Sequence, residues 1–541
     1  GTGGLYSTYT AAGGQAGRLN WYAFGSGRTG DGVRRFGDFR QSTLGGRASV
    51  AVRDGTTLTA SLTQMRYTLR QPGGRTEAQF AADPWGSARP RDWFAAPWFV
   101  PQLTLSHAIG AHSTLTVNAF GLYGERNSLG VITAPTVADT GLNARRLDRD
   151  AYRNAGVEAR LVHGTRVAAR PLTLALGLRA TTARTTRMSA RGADGESFRL
   201  DETGGRTRDL AFDTRGAAAF AEAGLEVAPG VVVSPGVRVE SIRMTGRGAW
   251  TPASGATFLP TGAATAVNDV RSQAVALGGL GLSVTRWEGI ELYGNATQSF
   301  RPATFSELFP TSLVAVDAGL GPARGLSTDI GLRSTSAGLL TYDVSLFWLR
   351  YDDRIGTVRG AALGADSLRY PAGLVRNVGR SEHYGAEAFA ELDVTRAVGA
   401  PTTGGAFAWW TSVGRTEARY VGSALDGNRV EYAPRWIARS GLTWRRGGAS
   451  ATLQGSYVDG TFSDASNTAF RADGLQGWIP AYRVLDATVR LPVWESLAFE
   501  ASVNNLTGAR YFTRRAGGYP GPGIIPADGR VLVAGVRWSG R

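Results

Sequence analysis

The chain contains no cysteine, which excludes disulfide bonds and thiolate metal sites. It contains no lysine either, so all 59 basic residues are arginine. Histidine occurs four times, as His107, His112, His163 and His383, and no H-E-x-x-H spacing occurs, so the sequence gives metal-assisted hydrolysis no support. Although 43% of the residues are hydrophobic, no uninterrupted apolar run reaches the ~18 residues that a transmembrane helix requires. Helical periodicity strong enough for a bundle is missing, and no stretch has the composition of a linker. The 541 residues therefore read as one domain, 1–541.

What the sequence does have is alternation. Near the C-terminus Leu497, Phe499, Ala501 and Val503 alternate with Ala498, Glu500, Ser502 and Asn504, and Leu532, Ala534, Val536 and Trp538 alternate with Val533, Gly535 and Arg537. Upstream, Ile290, Leu292, Ala296 and Phe300 oppose Glu291, Tyr293, Asn295, Thr297 and Ser299, while Leu340, Tyr342, Val344, Leu346 and Trp348 oppose Thr341, Asp343 and Ser345. A period of two marks strands with one apolar and one wet face. Gly278-Gly279-Leu280-Gly281 falls inside such a run and reads as strand glycine, not as a phosphate loop.

The connections come in two lengths. Short turns are expected at Asp54-Gly55, Ile109-Gly110-Ala111, His163-Gly164, Pro229-Gly230, Trp287-Glu288-Gly289, Ala337-Gly338, Arg446-Gly447-Gly448 and Val493-Trp494, with a longer one at Ala397–Gly405. Long loops are expected near 70–96, 125–149, 187–209, 247–269, 301–324, 355–376, 421–432, 461–479 and 507–529. Short turns at one end and long loops at the other describe an all-β transmembrane antiparallel barrel, apolar outside and wet inside, with turns periplasmic and loops outside. Trp287, Trp348, Trp436 and Trp538 near strand ends suit its interfacial girdles. A soluble sandwich would have no reason to segregate its loops in this way, and the outward apolar alternation disfavours a soluble all-β adhesin.

Twenty-one strands can be counted along the sequence, and bacterial single-chain barrels have even counts. The last strand ends on the short-turn side and Gly1 falls on the long-loop side. The expectation is a 22-stranded barrel with about 21 strands present, its first strand and everything before it missing.

The net charge is +15, with the arginines dispersed rather than gathered in a basic helix or stripe, which disfavours nucleic acid as a partner. Attraction of anionic ligands or lipopolysaccharide remains open, beside the plainer account of a GC-rich genome replacing lysine with arginine. The carboxylate pairs Asp352-Asp353 and Asp148/Asp150 lie by loop ends and read as solvated.

Four stretches carry a family resemblance. Phe300-Arg301-Pro302-Ala303-Thr304-Phe305-Ser306-Glu307-Leu308-Phe309 is similar to the mid-barrel motif of TonB-dependent outer-membrane receptors. Asn504-Asn505-Leu506-Thr507 with Arg510-Tyr511-Phe512 resembles their C-terminal signature. Tyr511 through Gly523 resembles the last loop of ferric-citrate-type members, and Gln71-Pro72-Gly73-Gly74 through Ala82-Asp83-Pro84 an early loop of that branch. Two departures stand out: the family's N-terminal plug is absent with its TonB-contacting segment, and Ser539-Gly540-Arg541 follow Trp538 where the family usually ends on an aromatic residue.

The resemblance implies a bacterial outer-membrane location and uptake of an iron chelate, ferric citrate or a related carboxylate siderophore. Uptake would be energised by TonB–ExbB–ExbD through the missing plug. It further implies a monomer contacting outer-membrane lipid and lipopolysaccharide, no enzymatic activity, and no cofactor, with iron present only inside the transported chelate. Anionic chelates call for convergent planar cations, and the ligand-binding candidates at the outer mouth are Arg301, Arg376, Arg380, Arg514 and Arg515. The Phe300–Phe309 motif reads foremost as a fixed turn, with Pro302 stopping the strand, and otherwise as a gate. Two rival readings are a passive porin-like channel and a receptor of the same kind for another siderophore, cobalamin or a glycan.

Overall fold

The computed structural model describes residues 1–308, 315–335, 338–358, 374–517 and 521–540. Phe309, Ala337, most of the 355–376 loop, Gly518, Tyr519, Pro520 and Arg541 lie outside the described residues.

Alternation of apolar and polar residues produces, among the described residues, one antiparallel sheet of 22 segments, each paired with its neighbour in the chain save at one break. Two segments, Trp93–Ala95 and Trp98–Ile109, share the same two neighbours, Thr56–Arg70 and Ser113–Gly130. They form a single strand broken at Ala96-Pro97, where proline has no N–H to give the ladder. Among the described residues the wall thus has 21 strands, one fewer than its 22 segments.

Its outer face is apolar: Leu178, Leu346 and Val536 are 66%, 59% and 71% exposed. Its inner face is polar and cross-linked. Arg333 bonds Glu291 at 2.8 Å, the Tyr293 hydroxyl donates to Asp343 at 2.7 Å and Gln102 donates to Asn118 at 2.9 Å. Gly331 leaves room for this lining, since a Cβ there would stand 2.3 Å from the Tyr293 ring. Trp287, Trp494 and Trp538 are exposed at the turn end, and Tyr384 and Trp436 at the loop end, as interfacial girdles require. The buried apolar clusters lie at the loop end; one joins Leu210 and Phe212 of the wall to Ala303, Leu308 and Leu320.

Two sequence expectations are corrected and a third is borne out. The hairpin expected at His163-Gly164 turns instead at Ala168-Ala169, with φ of 50° and 66°. Gly164 stays in the ladder opposite Thr173 and donates to the His112 carbonyl at 2.8 Å. Two successive left-handed residues make the favoured hairpin turn, but alanine there carries no sequence signal. The loop expected at 187–209 shrinks to 193–201, because the strands Arg170–Gly192 and Glu202–Ala228 run on. Five consecutive strands, from Arg146–Val167 to Thr265–Trp287, reach 20 to 27 residues. A tilted strand crosses the bilayer in about 10 residues, so these stand well clear of it on the loop side. The longer turn expected at Ala397–Gly405 is present, with the helical turn Val394–Ala397, capped by the Asp393 side chain, before it and the turn Thr402–Gly404 within it.

The first strand, Tyr6–Ala16, and the last, Val531–Trp538, both run from the loop end to the turn end. Strands of one direction cannot close an antiparallel ladder, and among the described residues none joins them. The turn before the first strand meets the last strand at the loop end, where the Leu532 N–H donates to the Thr2 hydroxyl at 2.9 Å.

Candidate functional site

Above the wall the long loops interlock. The two stretches likened to ferric-citrate-type loops pack on one another although they lie at opposite ends of the chain. Arg75 and Ile524 exchange backbone hydrogen bonds at 2.8 Å. The Trp85 indole donates to the Ala527 carbonyl at 3.2 Å, and Phe80 meets Phe512 edge-on at 5.0 Å. The early loop holds a helix, Glu77–Ala82, set by a capping box in which the Thr76 hydroxyl and the Gln79 side chain satisfy each other's backbone N–H.

Arginine fixes these loops. The Arg515 guanidinium, on a side chain only 3% exposed, donates to the carbonyls of Gly474 at 3.3 Å and Trp478 at 2.6 Å, pairs with Glu77 at 2.7 Å, and lies 4.9 Å from the Phe512 ring centre. A second set ties loops 71–92, 131–145 and 193–201. Arg91 forms a two-pronged bond to Asp139 at 2.8 and 2.5 Å, Arg89 donates to the carbonyls of Thr133, Ala134 and Val137, and Arg145 donates to those of Arg91 and Ala193. Asp92 lies among them. Burial pushes its carboxyl up to about 7, while the Val131 N–H and then Arg89 pull it back.

One cavity of about 580 Å³ opens at this end of the barrel, lined among others by Ser299, Arg301, Tyr351, Arg354, His383 and Tyr432. Ser299, Gly325, Tyr351 and Ser381 lie side by side on the lumen face of four successive strands. Gly325 keeps the level open: a Cβ there would stand 2.6 Å from the Ser299 hydroxyl and 3.5 Å from the Tyr351 ring. Tyr351 meets His383 edge-on at 5.3 Å. Arg354 pairs with Glu431 at 2.5 Å, whose other oxygen accepts the Tyr420 hydroxyl at 2.7 Å. The donors and rings suit a carboxylate-bearing or aromatic guest.

The five candidate arginines divide. Arg301 lines the cavity and is held by Glu307 in a two-pronged bond at 2.9 and 2.8 Å. Burial raises the Glu307 carboxyl, but Arg301 and the Thr304 N–H outweigh it, so Glu307 titrates below the ordinary range. Arg514 is exposed and acts electrostatically on Tyr432, which lines the same cavity. Arg515 is turned away as a loop staple, although Tyr432 donates to its carbonyl at 2.9 Å. Arg376 lies on the small strand Leu374–Asn377, opposite Gly356. Arg380 has the parity of Tyr384, on the outer face of the wall, and bonds Asp352 at 2.8 Å. Of the five, Arg301 alone lines the cavity, Arg514 acts on its Tyr432 from outside the lining, and Arg380 and Arg515 point elsewhere. Arg354 and Tyr432 carried no sequence signal, because their relation to the site depends on which loops fold over it.

Over its described part the Phe300–Phe309 motif packs down as a turn with the short helix Phe305–Leu308. Phe305 stacks on Phe212 at 4.9 Å, and Ala303 and Leu308 are buried. Asp148 and Asp150 are not solvated, which corrects the sequence reading. Asp150 is 2% exposed and takes two bonds from Arg187 at 2.8 and 3.0 Å, and Asp148 accepts from Arg146 and Ser189. The extended strands bury this segment where a loop end was expected. Among the described residues no cluster of metal-ligating side chains occurs.

A wall of antiparallel strands, apolar outside and wet within, capped by interlocked loops, defines a membrane β-barrel of the receptor class. The family model for the TonB dependent receptor-like beta-barrel matches residues 2–506, and the chain belongs to that family of outer-membrane barrels. The ferric citrate transporter FecA, in its unliganded form, has the same fold at TM-score 0.80 and 20% identity, with 98% of this chain and 75% of that chain covered. The siderophore receptor PiuA from Acinetobacter baumannii gives 0.78 and 14%, with 99% and 80% covered. The copper transporter OprC gives 0.77 and 14%, with 99% and 79% covered. At such identities the likeness is one of fold. No curated protein sequence matches the chain.

Proposed function

We propose that the chain forms the barrel of a receptor that takes up an anionic iron chelate, ferric citrate or a related carboxylate siderophore. The observation that carries this reading is the cavity at the loop end where Arg301, Arg354, Tyr351, His383 and Tyr432 meet, with Arg514 close by. Partly desolvated guanidinium forks are the natural hosts of carboxylates. The fold shared with a ferric citrate transporter points the same way. In this reading Arg301 and Arg514 contact the chelate, Arg354 and Tyr432 shape its seat, and Arg515 acts only by holding the loops. Iron is cargo and not a resident cofactor.

Energised transport needs TonB–ExbB–ExbD acting on a plug, which we assign to a segment outside residues 1–541. One more strand, rising from turn end to loop end, would be antiparallel to both Tyr6–Ala16 and Val531–Trp538 and would complete 22. Unpaired edges in lipid are costly, which supports such a strand.

The test is titration of the full-length receptor, followed by intrinsic tryptophan fluorescence, with ferric citrate and with a neutral siderophore. Saturable binding of ferric citrate alone, weakened about tenfold to hundredfold by Arg301→Ala or Arg514→Ala as loss of a charge-assisted bond predicts, supports the assignment. Equal binding by wild type and both variants, or preference for the neutral chelate, removes it.

A further inference from the structure

The wall loses height abruptly at one place. The strand Thr265–Trp287 has 23 residues and its successor Ile290–Arg301 has 12. The ladder between them begins only at Gly279, opposite Thr297, while on its other side the longer strand stays paired to Val231–Trp250 all the way up to Thr265. Over 265–278 it is therefore an edge, for which no backbone partner occurs among the described residues. A strand crosses the bilayer in about 10 residues, so, counted from Trp287 at the turn end, this edge stands at and beyond the outer surface.

In an antiparallel sheet successive residues turn their N–H and C=O alternately to one neighbour and to the other. The Gly278 N–H turns away from Val231–Trp250 and is taken by the Gln298 side chain at 2.9 Å. With the same parity, Ala266, Asn268, Val270, Ser272, Ala274 and Ala276 turn their backbone groups to the open side. The Val270 N–H is taken by the Asp269 carboxylate at 2.8 Å. Between these two caps Ser272, Ala274 and Ala276 carry no such cover. Exposed edges are usually blunted by proline, a bulge or a covering segment; 265–278 contains no proline, and its ladder to Val231–Trp250 runs without a register shift.

A second overhang supplies the contrast. Ala406–Val421 rises past the ladder that begins at Arg415 opposite Trp436, but the loop after it folds back as a cover: the Tyr420 N–H donates to the Asn428 carbonyl at 2.9 Å and the Val430 N–H to the Ala418 carbonyl at 3.0 Å. At 265–278 the loop that could cover the edge turns into the lumen instead, where Phe305 and Leu308 pack with Met244 and Val267. The outer face beside the open edge is basic. Arg243 stands opposite Ser272 and Arg247 opposite Asn268, both exposed. On the lumen face Arg238 and Arg271 pair with Glu240 at 2.8 Å and Asp269 at 3.0 Å, whereas Arg243 and Arg247 have no ion-pair partner among the described residues.

We propose that the edge 265–278 is a docking site for an extended acidic segment of a partner protein outside the cell, which adds to the sheet as one more antiparallel strand. Its backbone takes the uncovered N–H and C=O groups, and carboxylates on its outward side chains meet Arg243 and Arg247 across the short side chains of Ser272 and Asn268. A second copy of this chain does not fit. Two barrels upright in one membrane present this strand in the same direction, so antiparallel pairing would require one of them to be inverted, and contact would set the arginines of one copy against those of the other. The docking site does not rest on the chelate reading, because none of its residues lines the mouth cavity.

The test is fluorescence anisotropy of the full-length receptor in detergent with a fluorescein-labelled peptide of alternating threonine and glutamate, about 10 residues long so as to span the edge. Wild type should bind it saturably, and amide exchange of 265–278 should slow in the complex. Ser272→Pro/Ala274→Pro removes two outward N–H groups and leaves the ladder to Val231–Trp250 intact; it should weaken binding about tenfold or more. Arg243→Glu/Arg247→Glu should transfer the preference to a peptide of alternating threonine and arginine. Heat-modifiable gel mobility confirms that each variant is folded. Absence of saturable binding, unchanged binding by the proline variant, an unaltered preference in the charge-reversed variant, or equal binding of a peptide methylated at alternate backbone nitrogens would each overturn the proposal.

Discussion

Arg515→Ala separates holding the loops from binding the ligand. The substitution removes one guanidinium that joins Gly474 and Trp478 of one loop to Glu77 of another, from a side chain only 3% exposed. It strands two carbonyls and a carboxylate. Breaking a buried ion pair costs about 3–5 kcal/mol; the Glu77 side chain is 25% exposed and regains some water, so the low end, about 3 kcal/mol, applies. The loss falls on loop closure and not on the wall, whose ladder Arg515 does not enter. Hydrogen exchange of peptides from loops 71–92 and 459–481 should therefore quicken by roughly a hundredfold, at about 1.4 kcal/mol per factor of ten, while wall strands keep their protection. Arg515→Lys should recover only part, since one ammonium cannot span three acceptors on separate loops. Arg514→Ala, one residue away and exposed, should leave exchange unchanged. Loop exchange in Arg515→Ala within a few-fold of wild type would refute the staple.

Other perturbations test other parts. Phe305→Ala removes a ring stacked on Phe212 at 4.9 Å and lying as close under the Arg187 guanidinium, so the turn after Arg301 should lose about 2–3 kcal/mol and be nicked faster by protease near residues 302–308. Gly325→Val would drive a side chain against Ser299 and Tyr351, and chelate binding should fall roughly tenfold with loop exchange unaltered. Asp92, with its carboxyl raised to about 7 from 3.8, stabilises the folded loops while it is protonated. That contribution is complete at low pH and is lost as pH rises through 7. Opening of loop 131–145 should be about tenfold more frequent at pH 8 than at pH 6, after correction for intrinsic exchange, and Asp92→Asn should flatten the dependence.

The wall was legible because its signal is local. Side chains alternate with period two, so Leu346 against Ser345 already states which face meets lipid, and segregated loop lengths state which end is which. The turn at Ala168-Ala169 escaped because its residues are conformationally atypical there, and the long strands around Asp150 escaped because charged residues in a strand above the membrane look like a loop. The site was half legible. Residue type marked arginine, but type does not name a partner. Arg514 and Arg515 are adjacent in sequence and lie on opposite faces of one short strand, Phe512–Ala516, the first exposed and the second buried. Nothing local says which of them meets Glu77, more than 400 residues away.

That division also bears on why arginine alone serves a chain without cysteine. Loops exposed beyond a membrane lose much chain entropy on closing, and many extracellular folds limit this cost with disulfides. Here the cross-links are guanidiniums. Arg89 reaches three carbonyls of loop 131–145, Arg145 ties the Arg91 and Ala193 carbonyls, and Arg515 ties Gly474 and Trp478 to Glu77. A planar fork with five fixed donors can join several acceptors from separate segments, and it stays charged even where burial lowers its basicity, as at Arg89 and Arg145. Lysine could hold one such acceptor at a time with a freely turning head. Genome composition explains why arginine is plentiful, but it does not explain why these three are buried and multiply bonded. Geometry does, and it makes each of them a position where lysine is no substitute.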